Sequence, residues 1–117
     1  MNSKRFYQLL RDRLIKVEHT LKSKGQEYST DDNKLHNFDR AAIRSDQLRE
    51  KALLGMLLKH EISVLDIVDK LEENKLPTKE ILDEKFGDII SYYVLLEASI
   101  VDRIEKGEND KNTTISE

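Results

Sequence analysis

Apolar residues in this chain recur at three- and four-residue intervals almost from end to end, and nowhere do they sustain the alternation of a strand. Phe6, Leu9, Leu10, Leu14, Val17 and Leu21 share one face of a helix spanning residues 3–24, with Arg11, Asp12, Lys16 and Lys22 opposite. Gly25 is read as the residue that ends it. Residues 26–33 then form a short polar loop in which Asp31 or Asp32 caps a brief second helix, its inward face being Leu35, Phe38 and Ala42. Ser45 and Asp46 offer the next cap, and residues 47–73 read as a helix with apolar residues around most of its circumference, which implies neighbours on more than one side. Residues 74–77 make a turn, and Thr78 caps a last helix that runs to about Lys106, before Gly107.

The expected fold is therefore all-α: a bundle of about four helices with antiparallel neighbours. Self-association is expected to complete it, because long helices with two apolar sides exceed what one small monomer covers. A chain of 117 residues suits one domain, placed at residues 1–106, with a polar tail at 107–117 expected to be disordered. Hydrophobic residues make up 38%, enough to escape the composition of a disordered chain. The 20 basic and 23 acidic side chains are well mixed and leave no basic stripe for a phosphodiester backbone, so duplex nucleic acid is not an expected partner. Cysteine is absent, which removes disulfides and thiolate metal sites together. The first residues lack the apolar core of a secretory signal, and no segment reaches the roughly eighteen apolar residues of a membrane span. A cytoplasmic protein is expected.

At about 100° per residue, the third helix gathers Lys59, Ser63, Asp66 and Lys70 into one narrow polar stripe, continued by Ala52 and Gly55. The stripe reads either as a solvated face or as a surface for phosphate oxygens, and a mid-helix glycine, at a cost of about 1 kcal/mol, suggests close approach. His60 borders it, where one ring nitrogen can meet a ligand and the other a fixed partner. Glu61 projects among Leu54, Leu57, Leu58, Leu65 and Val68, and Glu97 sits likewise among apolar residues of the last helix. Each carboxylate needs a partner, a proton or an exposed edge, and an inter-subunit contact would serve both. For Glu61 a functional role is the alternative. Glu84 and Asp88 stand one turn apart, followed by Ser91 and Tyr92. Such a pair suits magnesium, which takes oxygen ligands, or is an ordinary exposed pair neutralised by Lys85. Joined to the Lys59 stripe it would make one site with carboxylates for a metal and cations for phosphate. The loop around Tyr28 offers a ring for stacking on a base, or is simply a capping loop. The three histidines lack the spacing of a helical zinc site.

Four segments carry a resemblance: Lys24-Gly25-Gln26-Glu27-Tyr28, Asn37-Phe38, Lys59-His60-Glu61-Ile62-Ser63 and Glu84-Lys85-Phe86-Gly87-Asp88. On these the chain resembles small phage-type helical proteins related to the MazG-like, all-α nucleoside triphosphate pyrophosphohydrolases, over roughly residues 24 to 100. The resemblance implies a helical dimer or tetramer, magnesium held by carboxylates on two helices, and water attack that releases pyrophosphate from a nucleotide. Carried over by position, it makes Glu84, Asp88 and Asp66 metal ligands and Glu61 and Asp66 the catalytic contribution of the third helix. Lys24, Tyr28, Lys59, His60, Ser63, Lys85 and Tyr92 would contact the nucleotide. The chain departs from the pattern at Lys85, where those enzymes place a metal-binding glutamate, and in the third helix, which offers Glu61, Asp66 and Asp69 in place of a Glu-Glu-x-x-Glu segment. These departures open a second expectation, a non-catalytic sponge that sequesters a host signalling nucleotide in the host cytoplasm. A third is a helical adaptor whose stripes are oligomer contacts.

Overall fold

A computed structural model describes residues 1–28 and 33–109, with side chains described through residue 23 and from 33 to 107. Among the described residues every regular element is a helix: α1 (Ser3–Tyr28), α2 (His36–Ser45), α3 (Arg49–Glu72) and α4 (Lys79–Asn109). The all-α expectation holds. No helix among the described residues is long and apolar enough to cross a membrane.

The helix ends differ from the sequence reading in ways that backbone chemistry explains. α1 does not stop at Gly25 but runs on to Tyr28, and α4 passes through Gly107 to Asn109. Glycine weakens a helix without forbidding it. Asp46 does not open α3; it closes α2 in the left-handed conformation, with φ 52°. Its N–H donates to the Ile43 carbonyl and that of Gln47 to Ala42, the paired closure that leaves no room for a cap on the next helix. α3 starts instead from Leu48, in extended conformation and without a side-chain cap. Asn74, with φ 59°, repeats the same closure after α3, where its own N–H donates to Leu71 and that of Lys75 to Lys70. Thr78 does cap α4, its hydroxyl oxygen accepting the Ile81 N–H at 3.2 Å. The candidate caps Asp31 and Asp32, and the tail beyond residue 109, lie outside the described residues.

α3 and α4 pack along each other, α2 lies on α3, and α1 packs on α4. The core sits where α2, α3 and α4 meet: Leu35 at the N-cap of α2, Phe38 from α2 and Leu53 from α3, with Met56, Tyr92, Leu95 and Leu96 closing round them. Leu53 and Leu57 are fully buried, and each such side chain contributes on the order of 1.5–3 kcal/mol through removal from water. α1 is fastened by buried Val17 and by Asp83, which accepts from Arg13 at 2.7 Å and from Lys16 at 2.8 Å.

A polar cluster sets the corner between α2, α3 and α4. Arg49, buried at the first turn of α3, donates to Asp39 at 2.9 Å, to Asp102 at 3.0 Å, and to both the hydroxyl and the main-chain oxygen of Ser99. Glu50 accepts from Ser99 and from Arg103. A guanidinium out of water has to find acceptors for its fork of donors, and α2 and α4 supply them here.

Candidate functional site

His60 leaves α3 on one flank of the line along which α3 meets α4, three residues on from the buried Leu57. That position brings its ring over Tyr92, stacked at 4.7 Å and 28°, and sets Nδ1 3.8 Å from an Asp88 carboxylate oxygen. The latter is ion-pair range, longer than a hydrogen bond. Tyr92 in turn meets Phe38 of α2 edge to face at 6.3 Å. Three helices thus converge on Tyr92. Burial, and after it the Asp88 carboxylate, push the Tyr92 phenol above its ordinary range, so it is a neutral donor at physiological pH.

The charged neighbours lie around this cluster. Lys59 is exposed, and Ser63 turns its hydroxyl back to the Lys59 carbonyl at 3.2 Å. Lys85, one turn before Asp88, has its ammonium 3.6 Å from Glu84. The stacked ring pair, with a carboxylate beside it, offers aromatic surface and a hydrogen-bond acceptor, while Lys59 projects about 100° round α3 from His60 and Lys85 is paired with Glu84.

Other residues in the expected site do not join it. Glu61 leaves α3 on the opposite flank, about 100° round the helix from His60. There it accepts a hydrogen bond of 2.8 Å from the Tyr93 hydroxyl, and this bond, followed by the Glu61 charge, raises the Tyr93 phenol. The carboxylate among apolar neighbours is therefore relieved by a hydrogen-bond partner, whereas Glu97 is exposed. Asp66 is also exposed and projects about 120° from His60 and about 140° from Glu61, so the expected catalytic pair of Glu61 and Asp66 does not converge within one chain. Nor do Glu84, Asp88 and Asp66: no group of three acidic or histidine side chains that could hold a metal ion exists among the described residues. Glu84 is engaged by Lys85 and Asp88 faces His60, a donor set that does not fit a chelated magnesium. Lys24 and Tyr28 belong to the last turns of α1, and their side chains lie outside the described residues.

Gly55 does not mark a close approach within the chain, since a β-carbon there would meet nothing within 4 Å. A groove of about 990 Å³ lies away from His60, at the corner lined by Asp39, Asp46, Arg49, Asp102, Arg103 and Lys106. Its cations are bonded to its own carboxylates, Arg49 to Asp39 and Asp102 and Lys106 to Asp102. That groove belongs to the framework.

No family model, no curated protein and no solved structure matches this chain.

Proposed function

We propose that this chain is a self-associating, MazG-like helical protein of the cytoplasm that binds a nucleotide, or a small molecule derived from one, around His60, Asp88 and Tyr92. The observation that carries the proposal is the His60–Tyr92 stack with Asp88 at its edge. A ring pair of this kind supports a purine or pyrimidine, each base worth about 1–3 kcal/mol by stacking. Lys59, next to His60 in sequence, and Lys85, one turn from Asp88, supply cations for phosphate oxygens.

Retention of the ligand is favoured over its hydrolysis by one specific contact. The Glu84 carboxylate, a metal ligand in the hydrolytic reading, lies 3.6 Å from the Lys85 ammonium, which stands where that reading needs a further carboxylate, so the metal half of a hydrolytic site is not supported.

The test is to incubate the purified chain with a mixed nucleotide pool and magnesium, separate bound from free by filtration, denature the retained protein and chromatograph both fractions. Intact nucleotide released on denaturation is the expected result. Conversion to a monophosphate and pyrophosphate would replace it with the hydrolytic reading, and an empty protein fraction would leave the adaptor.

A further inference from the structure

Opposite the His60 flank, α3 and α4 carry a second apolar surface that no described residue covers. Leu54, Leu58 and Leu65 fall within an arc of about 40° on α3, and Tyr93, Ile100 and Ile104 within a similar arc on α4. All six are between 46 and 59% exposed. The Tyr93–Glu61 hydrogen bond joins the two stripes at their middle into one face. Six large side chains half out of water place on the order of 400 Å² of apolar surface together, and the flanking aliphatic residues of the same helices extend it toward the roughly 800 Å² that each partner contributes to a standard interface.

We infer that this face is the contact with a second copy of the chain, in which α3 of one copy lies antiparallel to α3 of the other. This rests on the self-association in the reading above and specifies where it occurs. Charge at the two ends of the α3 stripe argues for the second copy and for its direction. Lys51 and Asp69 are exposed residues at the two ends of the α3 stripe, eighteen positions and so five whole turns apart, on the same edge. A two-fold contact centred near residue 60 sets Leu54 of each copy against Leu65 of the other and brings the two Glu61 carboxylates, each accepting from its own Tyr93, near the axis. It also sets each Lys51 within reach of the opposite Asp69. A self-complementary patch of this kind closes on itself and leaves no open end for further growth. The apolar residues exposed on α1, such as Tyr7, Leu10 and Leu14, belong to one helix only.

Sedimentation velocity of the full chain tests this. The wild type is expected at twice the chain mass of 13.7 kDa. Leu58→Arg with Leu65→Arg is expected at one chain mass with unchanged helical circular dichroism, since both side chains are exposed and their replacement leaves the fold intact. Leu14→Arg on α1 keeps the double mass. Lys51→Asp weakens association about tenfold, and adding Asp69→Lys restores it. A wild type at one chain mass overturns both the self-association and this face. A double mass that survives Leu58→Arg with Leu65→Arg overturns the face alone, and failure of the charge exchange to restore association overturns the antiparallel register.

Discussion

The guanidinium of Arg49 is bonded twice to Ser99, through Nε to the hydroxyl at 2.6 Å and through Nη2 to the main-chain oxygen at 3.0 Å. Fifty residues of sequence separate the two, so this one side chain ties the start of α3 to the last third of α4. Replacing it with Met keeps the bulk and removes the donors, leaving Ser99 and Asp39 short of a partner. Removing one member of a buried charge cluster costs about 3–5 kcal/mol, and the partial exposure of Asp39 and Asp102 reduces that here to about 2–4 kcal/mol. Urea unfolding followed by circular dichroism is expected to show Arg49→Met less stable by that amount.

The same cluster makes stability depend on acid. Burial alone would raise the Asp39 carboxyl, but hydrogen bonds from Asn33 and Arg49 outweigh it and hold it below its ordinary value; Ser99 and Arg103 do the same for Glu50. For Asp102 the hydrogen bonds from Lys106 and Arg49 lead. Groups whose folded pKa is depressed stabilise the fold at pH above their unfolded values, near 4, and lose that contribution as pH falls through the folded ones. Melting temperature is therefore expected to be flat from pH 7 to about 5 and to drop steeply below 4. The drop should be shallower in Arg49→Met, which has already lost the interaction.

At the candidate site, His60→Ala removes half of the ring stack and is expected to lower nucleotide retention about tenfold, within the range for one stacked base. Tyr92→Phe keeps the ring and should retain most of the binding. Isothermal titration with the nucleotide recovered from the wild type checks both. Equal affinity in His60→Ala and wild type would remove this site from consideration.

Ser91 offers a gain in place of a loss. Its hydroxyl is buried and has no hydrogen-bond partner among the described residues. Ser91→Ala removes that unpaired group and adds helix propensity, and is expected to stabilise by about 1 kcal/mol, seen as a rise of a few degrees in the melting temperature.

Periodicity was sufficient for the four helices and for the inward face Leu35, Phe38 and Ala42, because burial on one side of a helix leaves its mark at every third or fourth residue. Their ends were less legible. Gly25 and Gly107 look like stops but are tolerated inside helices, and Asp46 looks like the start of α3 when its left-handed backbone instead closes α2. His60, Asp88 and Tyr92 were each legible as candidates. Their convergence was not, since it depends on how α3 is rotated against α4. Glu61 and Asp66 are kept apart by the periodicity of α3 itself, five residues placing them about 140° apart. The Arg49 cluster and the grip of Asp83 on Arg13 and Lys16 left no local signal, because each joins residues at least fifty positions apart or pairs charges that look ordinary in sequence.

α4, at 31 residues and about 1.5 Å per residue, is a rod of roughly 46 Å that meets different partners along its length. Asp83 near its start holds α1, its middle meets His60 and Glu61, and Ser99 and Asp102 near its end hold Arg49. The attachments at the two ends share no residue. Thermal opening can accordingly release α1 while the α2–α3–α4 corner stays closed, so amide protons of α1 exchange with solvent ahead of those around Leu53, and the chain loosens in two steps instead of one.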